Sequence, residues 1–257
     1  MKNIIVITGA SSGFGQLFAM ELDRLFTSID EYWLIARNTE KMLETSKAIK
    51  TPCRILSLDL AVRSNVKEII KAIERYSYDC EDDVNIKMLV NCAGFGKLGN
   101  FATIDEEYTE GMIDVNIAAL TCLTRDLIPY MKKNSRIINV ASAAAFLPQP
   151  GFAEYAATKS YVLSLSRALN VELKHKKIYV TAVCPGPAKT NFFNIAEENA
   201  SSPWYKKFFY AEPNKVVNKA IKDCMRKKEV SVYSISMNLL RFFTKIIPHR
   251  IILKFFK

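Results

Sequence analysis

The chain has 257 residues, of which 49% are hydrophobic, so it can bury the core of one large α/β domain. Its formal net charge is +10, and the whole surplus lies in residues 201–257, which contain 13 Lys and Arg residues and 3 Asp and Glu residues. A basic surplus confined to one end, with no known nucleic-acid-binding motif beside it, argues against a nucleic-acid-binding protein.

No segment of the sequence predicts secretion, membrane insertion or a metal site. The apolar run Ile4–Ile7 is too short for a signal peptide, and no run approaches the roughly 20 apolar residues of a membrane-spanning helix. The six cysteines form no C-x-x-C pair and have no metal-ligand spacing with the two histidines: Cys53, Cys80, Cys92, Cys122, Cys184 and Cys224. We expect reduced cysteines, no metal and a cytoplasmic location.

The N-terminal segment predicts a dinucleotide-binding site. The predicted strand Ile4–Ile7 leads into Thr8-Gly9-Ala10-Ser11-Ser12-Gly13-Phe14-Gly15, and apolar residues at helical spacing follow from Leu17 to Phe26. Glycines let the backbone turn sharply and approach a pyrophosphate, whose charge is stabilised by the N–H groups of a helix N-terminus. The spacing is G-x-x-x-G-x-G, not the G-x-G-x-x-G of the common Rossmann fingerprint.

The end of the second strand bears on the choice of cofactor. The predicted strand Tyr32–Ala36 is followed by Arg37, and no acidic residue lies at this point. An acidic residue here binds the ribose hydroxyls of NAD, whereas a cation accommodates the additional phosphate of NADP. The sequence therefore favours NADP(H) over NAD(H); the alternative is a solvated arginine without a ligand.

Asp59 follows the third predicted strand, Arg54–Leu58, and two roles are open to it. With Leu60 beside it, it could accept a hydrogen bond from the adenine amino group of the cofactor. It could instead cap the predicted helix Val62–Tyr76, since aspartate is a common helix N-cap. The sequence does not separate these roles.

Small residues follow the fourth predicted strand, Met88–Val90, in the sequence Asn91-Cys92-Ala93-Gly94. Such residues at the carboxyl end of a central strand let a ligand lie against the backbone. After the loop Phe95–Thr103, Asn116 lies inside a long predicted helix, where its side chain competes for backbone hydrogen bonds. Asn116 therefore has either a polar role at a site or an ordinary place on the helix surface.

The predicted helix Phe152–His175 carries a tyrosine and a lysine that could act together. Tyr155 and Lys159 are four residues apart and lie on one helix face, although such pairs also occur by chance on solvated helices. A neighbouring cation favours the phenolate, which brings proton exchange with an alcohol or ketone towards neutral pH. Ser142, after the fifth predicted strand Arg136–Val140, can meet Tyr155 over the same crevice.

The remaining predicted elements complete a sheet and add an aromatic loop. The sixth strand, Ile178–Val183, runs into a Pro-Gly-Pro turn and then Thr190, whose hydroxyl could reach a carboxamide. A helix at Pro213–Arg226 and a last strand at Val230–Ile235 are predicted near the end. The loop that precedes this helix contains these aromatic residues: Phe192, Phe193, Trp204, Tyr205, Phe208 and Phe209.

These motifs, in this order, resemble those of the classical short-chain dehydrogenase/reductase family over residues 1–235. The resemblance implies a single α/β domain with a Rossmann-type doubly wound parallel sheet of about seven strands in three layers. It also implies a homodimer or homotetramer and nicotinamide-dependent interconversion of ketones and secondary alcohols. Three departures remove no reacting group: Cys92 stands in place of Asn, Phe14 in place of Ile, and Ala141 in place of a second serine before Ser142.

The resemblance implies a role for each catalytic residue. Tyr155 is the proton donor and acceptor, and Lys159 lowers its pKa and holds the nicotinamide ribose. Ser142 positions the substrate oxygen, and Asn116 anchors a proton-relay water. The expected reaction is reduction of a carbonyl group by hydride from NADPH while Tyr155 protonates the oxygen.

The same comparison implies the binding residues. Gly9, Gly13 and Gly15 are expected at the pyrophosphate and Arg37 at the 2′-phosphate. Asn91 is expected on the adenosine side and Thr190 at the nicotinamide amide. The other residues expected at the cofactor are Thr8, Ser11, Ser12, Phe14, Asp59, Leu60, Ala93, Gly94, Tyr155, Lys159, Pro185 and Gly186. Those expected at the substrate are Ser142, Ala144, Gln149, Tyr155, Phe192 and Phe193.

Residues 236–257 lie outside the resemblance and form a basic amphipathic extension. Apolar residues recur at helical spacing on both sides of Pro248, interleaved with Lys and Arg and with no acidic residue. Residues 237–257 could contact an anionic membrane peripherally, or pack on the subunit or on a second copy. With the aromatic loop, this extension suggests a bulky apolar substrate such as a hydroxysteroid, a bile acid or a 3-oxoacyl chain.

Two other functions stay open from the sequence. One is a nicotinamide-binding sensor or membrane-surface scaffold without turnover, which would be expected to lack Tyr155, Lys159 or Ser142; all three are present. The other is a dehydratase or epimerase of the extended branch of the same family, which would usually have a different glycine spacing and a longer C-terminal domain. The oxidoreductase hypothesis therefore stands first.

Overall fold

A parallel β-sheet forms the centre of the computed structural model, which describes residues 1–188, 190, 192, 196 and 211–254. Its strands are β1 (Lys2–Thr8), β2 (Glu31–Ala36), β3 (Cys53–Ser57), β4 (Val84–Asn91), β5 (Arg136–Val140), β6 (Tyr179–Val183) and β7 (Val230–Ser231). They are ordered β3-β2-β1-β4-β5-β6-β7, and each neighbouring pair is parallel. The doubly wound sheet expected from the sequence is confirmed.

Helices cover both faces of this sheet. They are α1 (Gly13–Leu25), α2 (Thr39–Lys47), α3 (Arg63–Asp79), α4 (Glu106–Ile113), α5 (Leu120–Leu127), α6 (Ala153–Glu172), α7 (Pro213–Met225), α8 (Ile235–Ile246) and α9 (His249–Leu253). Short 3-10 turns occupy Phe101–Thr103, Ile128–Tyr130, Ala143–Phe146 and Leu173–Lys176. A π-helical turn, Asp114–Ala119, joins α4 to α5 within the long helical region that the sequence predicts.

Three elements differ clearly from the sequence-based prediction. The predicted fourth strand, Met88–Val90, is too short, because β4 spans Val84–Asn91. The prediction lacks α2, whose first turn is capped by the side chain of Asn38. The predicted last strand, Val230–Ile235, is too long, because β7 ends at Ser231. The chain turns there because the hydroxyl of Ser234 accepts a hydrogen bond from the backbone N–H of Met237 over 3.1 Å and so starts α8.

The residues of β1 show how the sheet is buried on both faces. Ile5 and Ile7 belong to the apolar cluster beneath α1 and α7, whereas Ile4 and Val6 belong to the cluster beneath α3 and α5. Successive side chains of a strand point to opposite faces, so a strand covered on both sides is apolar throughout. The unbroken apolar run at the N-terminus is therefore the central strand of a three-layer fold.

The position of β1 also determines where a ligand can bind. β1 lies between β2 and β4, and the strand order reverses at this point. The loops that follow β1 and β4 run to opposite sides and leave a crevice at the carboxyl edge of the sheet. The segments after these two strands, Gly9–Phe14 and Cys92–Phe95, contribute to the lining of that crevice.

The C-terminal segment packs back on the sheet domain through α8. Met237 is buried and shares an apolar cluster with Ala182 of β6 and Val230 of β7. A Cβ added to Gly186 would lie 2.9 Å from both Cγ and Sδ of Met237, so the helix touches the backbone after β6. Among the described residues, no helix has the length and apolar character needed to cross a membrane. The expected domain boundary after residue 235 stays a prediction.

Candidate active site

A large cavity opens at the carboxyl edge of the sheet and is called the cleft here. Its volume is about 1080 Å³. Pockets for one drug-sized ligand usually measure about 300–1,000 Å³, so the cleft is large enough for a dinucleotide and a substrate together. Its wall is built by the loops that follow β1 to β6 and by residues of α4, α6 and α8.

Tyr155 is buried near the start of α6 and lines the cleft. Its ring stacks on that of Phe152, with 4.3 Å between ring centroids, and tilts against that of Phe192 at 5.3 Å. Burial raises the pKa of the Tyr155 phenol above its ordinary value, and a hydrogen bond with the side chain of Ser142 opposes this rise. The phenol therefore holds its proton at neutral pH.

Lys159 lies one helical turn after Tyr155 and lines the same cleft. Its Nζ donates a hydrogen bond to the carbonyl oxygen of Val140 over 3.0 Å and lies 5.6 Å from the centroid of the Tyr155 ring. Burial lowers the pKa of this ammonium group to about 8. The sequence-based expectation is that Lys159 lowers the pKa of Tyr155. In the structure this pKa is raised, because loss of hydration destabilises the phenolate more than its surroundings stabilise it.

Ser142 lies just beyond β5, where the chain changes from strand to 3-10 turn. Its hydroxyl accepts a hydrogen bond from the backbone N–H of Ala144 over 3.1 Å, which caps the turn Ala143–Phe146. This local bond fixes the serine side chain at the carboxyl edge of the sheet. Ser142 and Tyr155 thus meet in the cleft, as the sequence predicts.

Asn116 is fully buried in the π-helical turn between α4 and α5. Its Oδ1 accepts a hydrogen bond from the N–H of Phe95 over 3.1 Å, and its Nδ2 donates to the carbonyl oxygen of Phe95 and to Oγ1 of Thr158 over 2.9 and 3.1 Å. A Cβ added to the cleft residue Gly94 would lie 2.6 Å from Oδ1 of Asn116. Asn116 is therefore a polar anchor beside the cleft and not an ordinary surface asparagine.

The turn between β1 and α1 has the backbone that its glycines predict. Gly9 and Gly13 have φ angles of +68° and +55°, which favour glycine, and a Cβ on Gly15 would overlap the carbonyl group of Gly9. Ser12 is the N-cap of α1, but its side chain makes no capping hydrogen bond. The first N–H groups of α1 are thus left for another acceptor beside the cleft, and a phosphate group fits this position.

Two polar residues that were expected at the cofactor lie behind the cleft wall. The hydroxyl of Thr8 accepts hydrogen bonds from the two backbone N–H groups after Asn91, over 3.0 and 3.1 Å, and so joins the ends of β1 and β4. The Nδ2 of Asn91 donates to Thr124 and Asn139, both over 2.8 Å. The side chain of Asn91 is buried in this network, so a direct contact of it with adenosine is not supported.

Arg37 and Asp59 lie together at the end of the cleft formed by β2 and β3. Nη1 of Arg37 is 3.9 Å from Oδ2 of Asp59, and 74% of the arginine side chain is exposed. Oδ1 of Asp59 accepts a hydrogen bond from the N–H of Ala61 over 3.0 Å, while the N-cap of α3 is Val62 and has no side-chain cap. Of the two roles considered for Asp59, capping of α3 is therefore wrong.

The structure brings most of the predicted site residues to the cleft. Those that line it are Gly9, Ser11, Ser12, Gly13, Phe14, Arg37, Asp59, Leu60, Ala93, Gly94, Ser142, Ala144, Gln149, Tyr155, Lys159, Pro185, Gly186, Thr190 and Phe192. Those that lie behind its wall are Thr8, Gly15, Asn91 and Asn116. Phe193 lies outside the described residues, as do Trp204, Tyr205, Phe208, Phe209, Phe255 and Phe256.

Several apolar residues of the cleft are missing from the sequence-based prediction. They are Phe95, Tyr108, Leu147, Phe152, Met237, Leu239 and Leu240. The glycine at position 96 is one sequence signal for close packing near Tyr155. In the structure, a Cβ on Gly96 would lie 2.6 Å from Cδ2 of Tyr155. The apolar spacing of residues 237–247 indicates a helix but carries no signal for the surface on which that helix packs.

Comparison with known proteins agrees with this geometry. A family model described as short chain dehydrogenase matches residues 3–201. An uncharacterized oxidoreductase of Staphylococcus epidermidis is 32% identical over 192 residues, which cover 74% of this chain and 79% of the relative. The 3-ketodihydrosphingosine reductase of Mus musculus is 29% identical over 231 residues, which cover 86% of this chain and 68% of the relative. The solved structure of a short-chain dehydrogenase from Sphingobium yanoikuyae, in complex with NADPH, superposes with a TM-score of 0.77 and is 27% identical in sequence. The superposition covers 91% of this chain and 89% of the Sphingobium yanoikuyae chain.

Proposed function

The chain belongs to the short-chain dehydrogenase family of nicotinamide-dependent oxidoreductases, and we propose that it interconverts a ketone and a secondary alcohol with NADP(H). The observation that carries this proposal is the meeting of Ser142, Tyr155 and Lys159 in one cleft with the glycine turn before α1. This arrangement supports the proposed roles of a proton donor for Tyr155, a hydrogen-bond donor to the substrate oxygen for Ser142 and a cation for Lys159.

The residues around the cleft fit such a cofactor. Gly9 and Gly13, with the uncapped N-terminus of α1, would hold the pyrophosphate, and Arg37 would bind the 2′-phosphate. Lys159 and Thr190 would hold the nicotinamide riboside. When bound, the cofactor supplies or accepts the hydride.

The chain's own residues would manage the proton. In the reducing direction, Tyr155 donates its phenolic proton to the substrate oxygen, and the hydroxyl of Ser142 stabilises the negative charge that develops there. In the oxidising direction, the phenol must first lose its proton, and the charge of Lys159 stabilises the phenolate. Asn116 keeps one acceptor position on Oδ1, with which it would anchor a water that returns the proton.

Three observations support NADP(H) over NAD(H). Arg37 follows β2 directly, at the point where an acidic residue would select the ribose of NAD. Its exposed guanidinium group is free to turn towards a phosphate, because its contact with Asp59 is a long surface pair. The relative from Sphingobium yanoikuyae was solved in complex with NADPH.

The apolar wall of the cleft supports a bulky apolar substrate. Aromatic and aliphatic side chains from four parts of the chain contribute to it, among them Phe95, Leu147, Phe192 and Leu240. A hydroxysteroid, a bile acid or a 3-oxoacyl chain would bury its hydrocarbon part there and present one oxygen to Ser142 and Tyr155. The mouse relative is named as the reductase of a 3-keto compound.

The proposal includes a homodimer or homotetramer in the cytoplasm, with a peripheral membrane contact through residues 237–257. Large apolar side chains exposed on α4 and α6, such as Ile113 and Tyr161, support an interface between subunits. A second candidate function is a nicotinamide-binding sensor or membrane-surface scaffold without turnover. The exposed apolar side of α8 is the observation that favours it.

Oxidation of NADPH, followed by its absorbance, tests the proposed function. The substrate panel consists of keto-steroids, keto-bile acids, 3-oxoacyl thioesters and small ketones. Turnover of one of these classes, lost in Tyr155→Phe, is the expected result. Binding of NADPH without turnover of any class would favour the sensor.

A further inference from the structure

Helix α8 turns its more apolar side away from the protein. Met237 and Thr244 face the sheet domain and are 9% and 8% exposed. The opposite side, with its continuation in α9, is called the outer face and consists of six side chains that are 48–82% exposed: Ile235, Leu239, Phe242, Phe243, Ile246 and Ile251. A helix on a globular protein normally buries its apolar stripe. A contiguous apolar surface left in water indicates a contact with a partner.

The charges around the outer face indicate which kind of partner fits. From Ile235 to Lys254 the chain has four Lys and Arg residues and no Asp or Glu. Lys245, Arg250 and Lys254 are exposed. An apolar stripe flanked by cations is the pattern of helices that lie on anionic lipid, because the apolar groups enter the acyl boundary while the cations meet the headgroups.

The same helix also forms part of the cleft wall. Ser236, Met237, Leu239 and Leu240 line the cleft. Leu239 is 50% exposed and belongs to both the cleft wall and the outer face. One rim of the cleft therefore coincides with the edge of the outer face.

We infer that the outer face docks the protein on an anionic lipid bilayer and that an apolar ketone enters the cleft from this bilayer over the rim at Leu239. The entry of substrate rests on the proposed function, because it needs the proposed oxidoreductase activity, whereas the docking does not need that activity. α8 has 12 residues and is about 18 Å long, compared with roughly 30 Å for the hydrocarbon core. The helix therefore lies along the membrane surface.

A second copy of this chain is the competing occupant of the outer face. A symmetric contact between two outer faces would bring the same Lys and Arg side chains together, with no acidic residue from this segment to pair with them. An anionic bilayer supplies the opposite charge across its whole surface. The charge pattern therefore favours the bilayer.

Flotation of the full chain with vesicles tests the docking. We expect binding to vesicles of phosphatidylcholine with phosphatidylserine, weaker binding to phosphatidylcholine alone, and weakening by salt. The double variant Phe242→Glu/Ile246→Glu should bind about tenfold less or weaker still, because it places carboxylates in the apolar stripe. The matched control Leu25→Glu/Tyr78→Glu changes two exposed apolar residues on α1 and α3 and should bind as the wild type does.

Equal vesicle binding by the two double variants, or no binding by the wild type, would overturn the docking. A change in oligomeric state caused by Phe242→Glu/Ile246→Glu without any vesicle binding would assign the outer face to a second copy. Circular dichroism of both variants establishes that they are folded.

A comparison of two substrates tests entry from the bilayer. One is a ketone with a long alkyl chain carried in the anionic vesicles, and the other is a water-soluble short ketone with the same reacting group. Phe242→Glu/Ile246→Glu should lose at least tenfold in rate on the vesicle-borne ketone and keep its rate on the soluble one. An equal rate for the variant and the wild type on the vesicle-borne ketone would overturn entry from the bilayer. If the wild type turns over neither ketone but binds the vesicles, the proposed function fails while the docking stands.

Discussion

The ammonium group of Lys159 donates its hydrogen bond to a neutral acceptor, the backbone carbonyl oxygen of Val140, over 3.0 Å. Burial is the main cause of its lowered pKa, which is about 8. The Lys159 ammonium group in the cleft wall is therefore more easily deprotonated than an ordinary lysine. As a result, the stability of the folded protein should increase as the pH rises.

The first prediction concerns that dependence. In the unfolded chain, Lys159 has an ordinary lysine pKa of about 10.4. Between about pH 8 and pH 10.4 the unfolded chain therefore binds more protons than the folded protein. The free energy of unfolding thus increases as the pH rises through this window. We expect the free energy of unfolding of the wild type to gain on the order of 2–3 kcal/mol relative to Lys159→Met across the window. Urea unfolding of both proteins from pH 7 to pH 10.5 measures it. Parallel pH profiles would show that Lys159 is not the group responsible.

The second prediction assigns the proton transfer to one phenol. Tyr155→Phe removes the donor but keeps the ring between Phe152 and Phe192. The rate of ketone reduction should fall by about 10²–10⁴-fold while NADPH binding and stability stay close to the wild type. Tyr161→Phe is the matched control, because that phenol lies on the same helix and bonds to Thr121. If both variants lose activity equally, the effect does not come from Tyr155 Oη.

The third prediction concerns the choice between the two cofactors. Arg37→Ala removes the cation at the end of β2, and a charge-assisted hydrogen bond to a phosphate contributes roughly 1.5–3 kcal/mol. We expect KM for NADPH to rise by about 10- to 100-fold with little change in KM for NADH. Arg24→Ala, at an exposed position of α1 outside the cleft, is the control. A variant that binds the two cofactors as the wild type does would remove the argument for NADP(H).

Much of the cleft could be predicted from the sequence because the fold brings strand ends together. The carboxyl ends of parallel strands meet at one edge, so the glycine turn after β1, Gly94 after β4 and Ser142 after β5 could be assigned to one crevice without coordinates. The pairing of Tyr155 with Lys159 needed only the helical repeat. These inferences depend on local spacing and on one rule of topology.

Properties that depend on distant parts of the chain could not be predicted in this way. The net direction of the Tyr155 pKa follows from burial, which results from packing of the whole domain. The burial of Asn116 depends on a π-helical turn that no residue pattern indicated. The return of α8 to the cleft involves a contact between Met237 and Gly186, which are 51 positions apart along the chain. This contact is so close that a Cβ added to Gly186 would lie 2.9 Å from Cγ and Sδ of Met237.

The fourth prediction tests this last contact. Gly186→Ala should destabilise the protein by about 1–3 kcal/mol, because the new methyl group would lie 2.9 Å from Cγ and Sδ of Met237 and this buried side chain would have to move. Met237→Ala alone should also destabilise the protein, because it removes a buried side chain from the cluster beside β6. The double variant should lose less stability than the two single variants lose together, since the shortened side chain leaves space for the methyl group. We expect a coupling energy of roughly 1 kcal/mol or more. Urea unfolding of the four proteins gives the cycle. Additive effects would mean that the side chain of Met237 does not rest against the backbone at Gly186.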